Sequence, residues 1–457
     1  MLLRLPWLLS RKRLLTAVVI DSALFLLVYS IAFLLRFGRL PGFSWPVIGM
    51  VGFWLLCSYV IGRYHAEIAN SEVVLINASL RTATALLLSM GLYLFAFWIA
   101  SVALDAKDSR GFLFPLLLSF ALISTLCQAA LARIIRLKSQ QPHHWLFIGN
   151  SDSFNDLNGY LSWTRLSASI TLFTGDTRTL LTDARDAGYE GLLVSDFNTV
   201  LAPLQQQLLQ FQQSGWLVLS LVGWCERVLQ RFPPELLTNA DLLRGEFSVA
   251  RGTMQLRFKR IGDLFVSGAL LFLTAPILLI AGLFIRLQDG GPVLYSQVRT
   301  GLDGKPYRIW KLRTMRVDAE RNGAQWVGKG DSRITPLGRM LRLTRLDELP
   351  QLWAVLQGQM SLIGPRPERP EFEMDLERQI PHYHLRHLMR PGLSGWAQVN
   401  YPYGASVEDA ANKLSYDLYY LRNFSFWLDL LILFKTIRLV FNAQGAIPIS
   451  SESKPTT

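Results

Sequence analysis

The sequence predicts three parts in series: a membrane α-helical bundle, a small α/β domain, and a mainly α-helical, membrane-associated domain that carries a re-entrant helix. Three observations lead there. Long apolar runs crowd the first third of the chain, and short apolar runs alternate with helix-forming stretches in the middle. A fifth long apolar run, broken by a proline and flanked by basic residues, then opens an arginine- and glycine-rich remainder. The composition agrees, with 51% hydrophobic and only 18% charged residues over 457 positions. That balance and a mean hydropathy of +0.26 fit a membrane protein with water-exposed portions.

The first apolar run, residues 14–35, follows Arg4, Arg11, Lys12 and Arg13. It is longer than the apolar core of a signal peptide and no small-residue cleavage pattern follows it. Residues 46–61, 83–104 and 112–132 complete a set of four transmembrane helices, each near the span of about 20 residues that a bilayer requires. Arg133, Arg136 and Lys138 follow the last of them, so positive charge places both ends of the bundle in the cytoplasm. Asp21, inside the first helix, is expected to face water or a neighbouring helix.

From His143 the pattern becomes that of an α/β unit. Residues 145–148, 170–173, 191–194 and 216–222 read as strands of a parallel sheet, with 201–211 as an intervening helix. The first strand runs into Gly149-Asn150-Ser151-Asp152-Ser153-Phe154, which keeps one of the three glycines of a dinucleotide fingerprint. The domain is therefore Rossmann-like in pattern, and a scaffold role is favoured over nucleotide sensing.

Residues 261–285 are long enough to cross, but Pro276 in their middle favours a kink. Arg257, Lys259, Arg260 and Arg286 flank both ends, so neither end is marked as external. A helix that enters, bends at Ala275-Pro276 and returns satisfies both facts, and it requires the following domain to lie close to the bilayer. The expected division is 1–138 for the bundle, 139–250 for the α/β domain, 251–445 for the catalytic domain and 446–457 for a polar tail. Residues 424–441 mix apolar positions with Asp429, Lys435 and Arg438, which suits an interfacial helix.

A net charge of +12 could serve nucleic acid, an anionic membrane face or phosphorylated substrates. Beside so much apolar sequence, the bilayer and phosphate are the expected partners, and nucleic acid is not. Cys57, Cys127 and Cys225 have no metal-type spacing and imply neither a disulfide framework nor a zinc site.

Chemistry concentrates at Leu346-Asp347-Glu348-Leu349-Pro350-Gln351. Neighbouring helical residues point about 100° apart, so the two carboxylates must have different tasks. One can attack while the other holds a metal or moves a proton. Arg339, Arg342 and Arg345 recur every third position, as one helix face would. With Lys311, Arg313 and Arg366 they make a cationic set suited to phosphate. Pro350 suits a first helical turn and Gly358 a helix stop, which would put the carboxylates near a helix N-terminus. Oxygen ligands point to Mg²⁺. His382, His384 and His387 read as surface or structural residues, with His387 worth testing.

Four stretches carry a resemblance. Lys311-Leu312-Arg313-Thr314-Met315, Leu346-Asp347-Glu348-Leu349-Pro350-Gln351, Ser361-Leu362-Ile363-Gly364-Pro365-Arg366-Pro367 and the motif over 390–400 resemble the bacterial polyprenyl-phosphate sugar-1-phosphate transferases, over about residues 257–441. The apolar N-terminal third and the α/β domain look like the long form of that family, which starts exopolysaccharide or O-antigen synthesis. The resemblance implies transfer of a sugar-1-phosphate from a UDP-sugar to undecaprenyl phosphate with release of UMP, at the cytoplasmic face of the bacterial inner membrane. It implies Asp347 as the nucleophile that forms a phosphosugar–aspartyl intermediate, Glu348 as a ligand of Mg²⁺, and Arg342 as a phosphate contact. Lys311, Arg313 and Arg366 are implied as further anion contacts, Pro276 as the kink of the re-entrant helix, and a homodimer as the assembly. The rival expectation is a non-catalytic membrane scaffold for glycan-assembly enzymes, against which the intact carboxylate pair counts.

Overall fold

Residues 14–35 contain one acid and no other charge, and they fall within helix α1 (Lys12–Phe37). The computed structural model describes residues 12–42, 45–61, 63–64, 81–91, 93, 106–139, 143–162, 168–174, 188–195, 202–237, 239, 242, 247, 253–319, 331–401 and 406–441. The chain divides into two compact units, Leu8–Gln141 and Pro142–Thr457. In the first, α1 is joined by α2 (Trp45–Ile61), a helical stretch over 81–91, and α3 (Ala106–Ser139). Part of the third expected span, residues 94–105, lies outside the described residues, as do Arg4, Arg11 and the expected polar tail. Among the described residues two helices, Leu14–Phe37 and Met254–Asp289, are long and apolar enough to cross a membrane. Val47–Ile61 and Pro115–Leu131 are shorter apolar helices. The first unit packs around aromatic side chains, with Phe120 edge-on to Phe25 at 4.9 Å and at 4.8 Å from Trp54.

The second unit opens with four parallel strands, as the short apolar runs predict. They are β1 (His143–Ile148), β2 (Ala168–Leu172), β3 (Gly191–Val194) and β4 (Leu217–Ser220), in the order β2-β1-β3-β4. Helix α4 (Ser151–Ser162) follows β1, and α5 (Ala202–Gln213) precedes β4. Every residue of β3 is buried, which explains why it reads as an unbroken apolar run. Leu208 and Phe211 of α5 cover Leu146, Ile148, Leu192 and Val194 of the sheet.

The chain leaves the sheet through α6 (Leu221–Trp224), which runs on as a π-helical turn, Cys225–Leu229. Gln230 ends the turn in the left-handed region at φ 54° and offers its carbonyl to the Trp396 indole nitrogen at 3.0 Å. Arg231 is buried and donates to Asn412 Oδ1 at 3.0 Å. The Phe232 amide donates to Ser415 O at 2.8 Å. This stretch is thus built into the C-terminal part of the unit.

Helix α7 (Met254–Asp289) carries the fifth apolar run, with Pro276 inside it and Gly290 as a left-handed cap at φ 67°. It runs about 54 Å at the usual rise per residue, well beyond a hydrocarbon core of about 30 Å. Both of its ends are held by the same unit. Near the start, Arg260 donates to the Val355 and Leu356 carbonyls at 2.5 and 2.8 Å, and the Asp263 carboxylate accepts from the Leu362 amide at 3.0 Å. Near the end, Ala281 and Ile285 pack with Leu312 and Leu341. Phe265, Phe272, Leu273 and Leu279 stay exposed along its length.

After α7 come the antiparallel pair β5 (Leu294–Thr300) and β6 (Pro306–Leu312), then α8 (Pro336–Leu343). A 3₁₀ turn, Leu346–Gln351, leads into α9 (Leu352–Gln357), which Gly358 stops at φ 84°, as the sequence predicts. Strand β7 (Ser361–Ile363), α10 (Pro370–Gln379), a 3₁₀ turn (Tyr383–Leu388), β8 (Gly392–Ser394) and α11 (Trp396–Asn400) follow. Helices α12 (Val407–Asn423) and α13 (Phe426–Phe441) close the unit. In α13 two of the charges that suggested an interfacial helix turn toward protein. Asp429 accepts from Lys259 at 2.7 Å and from the Tyr420 hydroxyl at 2.6 Å, and the Lys435 ammonium sits 4.5 Å from the Trp396 ring centre. Phe426 and Trp427 are left exposed.

The apolar first unit is polar at one place. Asp21 is fully buried and faces neighbouring helices, one of its two expected environments. Its carboxylate accepts from Arg63 Nη1 at 2.6 Å, Ser124 Oγ at 2.6 Å, Tyr64 Oη at 2.8 Å, Gln128 Nε2 at 2.9 Å and Trp54 Nε1 at 3.1 Å. Arg63 also reaches Thr82 Oγ1 at 3.0 Å. Removing one member of a buried ion pair strands the other, at a cost of several kcal/mol. Asp21→Ala is therefore expected to lower stability by about 3 kcal/mol, and Asp21→Ala with Arg63→Met to recover part of it. Thermal unfolding in detergent reads both, and equal midpoints for Asp21→Ala and wild type would contradict the network's role.

Candidate active site

The site is assembled by three short elements that follow α7. Strand β6 delivers Lys311, the 3₁₀ turn delivers Asp347 and Glu348, and the loop after β7 delivers Arg366. Close packing sets the first two. Gly338 of α8 lies so near the Thr314 backbone that a Cβ there would fall 2.0 Å from the Thr314 oxygen, so only glycine lets α8 approach the end of β6. Thr335 caps α8 by accepting from the Gly338 amide at 2.9 Å.

Helix α8 ends at Leu343, before the third arginine of the expected face. Arg345 lies beyond it in the left-handed region at φ 58° and begins the 3₁₀ turn. The three arginines therefore separate. Arg339 is exposed on α8, and Arg342 is half-buried with its Nε donating to Thr314 Oγ1 at 2.9 Å. Arg345 turns to Glu348, with Nη1 to Oε2 at 3.7 Å. The cause is local: a non-glycine residue in the left-handed region ends a helix and redirects the chain. The carboxylates occupy the first turn of the 3₁₀ element, the helix-start position expected of them, and Pro350 lies inside that element.

Asp347 and Glu348 are both buried, 7% and 8% exposed. Glu348 Oε1 takes two cations, Lys311 Nζ at 2.9 Å and Arg366 Nη2 at 2.6 Å. Glu348 Oε2 is held more loosely, with Arg366 Nη1 at 3.5 Å. Burial pushes the Glu348 carboxyl up, but Arg366, Lys311 and Arg345 outweigh it and hold the group well below the usual carboxylate range. Asp347 has no hydrogen bond or ion pair among the described residues. Burial first, then the charge of Glu348, push its carboxyl up to about 6, against the pull of Lys311, Arg342 and Arg345. Burial lowers the Lys311 ammonium from its ordinary value while Glu348 supports its charge. Two adjacent acids thus acquire the different characters that the sequence demanded: one fixed as an anion, the other titrating near neutrality.

Arg313 stands apart from this cluster in its contacts. It is buried, pairs with Asp289 at the end of α7, and lies 3.5 Å from the Ile285 carbonyl. His387 is half-buried, with Nε2 3.5 Å from Glu373 Oε1. Burial, helped by Arg386 and His384, pushes the His387 imidazole down to about 4, and burial raises the Glu373 carboxyl to about 7. His387 is therefore neutral at physiological pH. Sequence reasoning singled out neither Arg386 nor its partner Asp417, which lie 31 positions apart and meet only in the fold. Arg299 was visible only within the run Gln297-Val298-Arg299-Thr300-Gly301.

Two buried carboxylates fenced by cations, in the same unit as a helix long enough to cross a membrane, are an arrangement suited to anionic, phosphate-bearing ligands. The sequence profile of the bacterial sugar transferase family matches residues 254–443, the stretch that carries α7 and all of these side chains. The UDP-N-acetylgalactosamine-undecaprenyl-phosphate N-acetylgalactosaminephosphotransferase of Aeromonas hydrophila is 45% identical over 188 residues, covering 41% of this chain and 44% of that one. The UDP-glucose:undecaprenyl-phosphate glucose-1-phosphate transferase of Klebsiella pneumoniae is 43% identical over 182 residues, 39% of each chain. A transferase of that same description from Caulobacter vibrioides is 38% identical over 222 residues, covering 48% of this chain and 83% of its own. The chain belongs to the bacterial sugar transferase family. It spans less than half the length of the first two relatives.

The titration of the pair can be read directly. Infrared spectroscopy of the protonated carboxyl stretch is expected to show a step near pH 6, with the protonated form below it, that Asp347→Asn removes. Glu348→Gln takes away a neighbouring negative charge and should move the step to lower pH. A step that stays in Asp347→Asn would assign the titration elsewhere.

Proposed function

We propose that the chain transfers a sugar-1-phosphate from a UDP-sugar to undecaprenyl phosphate at the cytoplasmic membrane face, giving undecaprenyl-diphosphate-sugar and UMP. The observation that carries this reading is the split of the carboxylate pair. Asp347 is an acid without an ion-pair partner among the described residues, ionised above about pH 6. Beside it Glu348 is held by Lys311 and Arg366. The names of the Aeromonas and Klebsiella relatives supply the substrate class.

In this reading an oxygen of Asp347 attacks the phosphorus that bears the sugar. That bond forms as the phosphorus–oxygen bond to UMP breaks, and the electron pair leaves with UMP. An oxygen of undecaprenyl phosphate then attacks the same phosphorus, breaks the bond to Asp347 and restores the carboxylate. Neither step needs a proton taken from the nucleophile, which suits an aspartate and a lipid phosphate. Arg342, Arg366, Lys311 and Arg339 oppose the phosphate charge, while the contacts of Arg313 favour a role in setting the end of α7.

The donor set fits Mg²⁺. Glu348 would be its protein ligand through Oε2, which has no cation closer than 3.5 Å among the described residues, leaving Asp347 for the attack. When bound, Mg²⁺ would neutralise charge building on the phosphate of the departing UMP.

Helix α7 supports a reading of the membrane arrangement. Both ends of the helix hold one unit, so a re-entrant path bent near Pro276 keeps that unit on one side of the bilayer. Exposed Trp353, Phe426 and Trp427 suit the interface. We read the first unit as a four-helix, multi-pass anchor in the bacterial inner membrane. The parallel sheet, whose order turns at β1, is read as a Rossmann-like scaffold, and the whole as a homodimer serving the first step of exopolysaccharide or O-antigen synthesis.

Asp347→Asn is expected to cut UMP release from a UDP-sugar, with undecaprenyl phosphate and Mg²⁺ present, by roughly 10³-fold or more. The wild-type kcat/KM should fall as pH drops through about 6. Near-normal release by Asp347→Asn would refute the nucleophile assignment.

A further inference from the structure

Four consecutive carbonyls in the loop that carries Arg366 are each tied to a different donor. Pro365 O accepts from the Gly392 amide at 2.8 Å, and Arg366 O from Arg386 Nη2 at 2.8 Å. Pro367 O accepts from Arg299 Nη1 at 3.0 Å, and Glu368 O from the Thr300 amide at 3.1 Å. The loop has no regular secondary structure between β7 and α10, so its carbonyls need partners from elsewhere. Two of the four are guanidinium groups on side chains far away in sequence.

Both arginines are themselves fixed. Arg386 is 5% exposed, with Asp417 Oδ2 at 3.0 Å, the Tyr383 hydroxyl bonded to it and the Tyr383 ring centre 5.0 Å away. Asp417 is buried on α12 and supplies the matching charge. Arg299 on β5 donates from Nη2 to Gln297 Oε1 at 2.6 Å and has Nη1 3.7 Å from Glu368 Oε2. At the other end of the arrangement the Arg366 side chain, 31% exposed, reaches across to Glu348. A long, partly exposed arginine holds one geometry only if its backbone does not wander, and a misplacement of about 1 Å can cost 10²-fold in rate.

We propose that Arg386 and Arg299 are positioning residues for the candidate active site: by fastening the Arg366 and Pro367 carbonyls they keep the Arg366 guanidinium on Glu348. Neither has a hydrogen bond or ion pair with Asp347 or Glu348 among the described residues; Arg386 reaches the pair through Arg366, and Arg299 adds its charge, which also acts on Glu348 from a distance. The part of this inference that concerns turnover rests on the function proposed above, and the part that concerns the loop does not.

The test is made on the full chain in detergent or nanodiscs, with Arg386→Gln and Arg299→Gln. Hydrogen exchange of peptides covering residues 361–372 should rise about tenfold in each variant while the thermal midpoint of the whole protein moves little. Turnover of a UDP-sugar should fall about tenfold in Arg386→Gln. In an Arg366→Ala background the same substitution should then cost nothing more, because a residue acting through Arg366 has no further effect once that side chain is gone. Arg386→Lys, which keeps a donor for the Arg366 carbonyl, should restore part of the loss. Unchanged exchange in both variants would overturn the proposal, as would an undiminished loss of turnover in the Arg366→Ala background. If Arg386→Gln fails to fold, Arg299→Gln, which leaves the Arg386–Asp417 pair intact, decides by the exchange reading. A wild-type protein without turnover on any nucleotide sugar would refute the functional reading, while the exchange result would still judge the clamp.

Discussion

The carboxylate of Glu348, shared between Lys311 and Arg366, is the interaction on which the site depends. Two unit charges about 4 Å apart repel by about 4 kcal/mol at an effective dielectric constant near 20, so adjacent buried acids cannot both ionise unaided. Cations decide which ionises first and let the second follow near neutrality. Lys311 and Arg366 converge on one oxygen of Glu348 and make it the permanent anion, and Arg345 leans on the other. Asp347 is left with its burial and a negative neighbour, and titrates near neutrality. A carboxylate with that balance is ionised at physiological pH and yet is not masked by a tight ion pair, which is what an attack on phosphorus requires.

A second task of the same unit is to hold α7, a helix long and apolar enough to cross a membrane. Its start is tied to α9 and β7 through Arg260 and Asp263, its end to β6 and α8 through Ile285, and its apolar flank is open. Arg313 belongs to this second task. Only two positions from Lys311, it turns to Asp289 and fixes the point where α7 hands over to the β-hairpin that carries Lys311. One short strand thus links the membrane helix to the carboxylate pair.

Much of this was legible in the sequence. Period and length located α1, α2 and all four parallel strands to within about two residues, because long or fully buried elements demand unbroken apolar runs, and found the apolar part of α7, whose helix extends beyond it at both ends to Met254–Asp289. Gly358 announced the end of α9 and the Leu346–Gln351 motif announced the acids. The arginine face was misjudged at Arg345, since a spacing of three says nothing about where a helix stops, and no glycine marks the left-handed turn there. Arg386 and Asp417 left no local signal at all, because their pairing exists only once α12 lies beside the 3₁₀ turn. Asp429 and Lys435 suggested an interfacial helix, and both turn toward protein in α13, which hydropathy alone cannot distinguish.

The central claim is that Asp347 is the atom-transferring nucleophile. Incubation of the protein with a UDP-sugar in the absence of undecaprenyl phosphate, followed by rapid quenching and peptide mass analysis, reads this directly. The account predicts a mass gain of one sugar phosphate on the peptide containing Asp347, lost when undecaprenyl phosphate is added. Turnover with lipid present but no adduct on that peptide, or an adduct on a different residue, would contradict it.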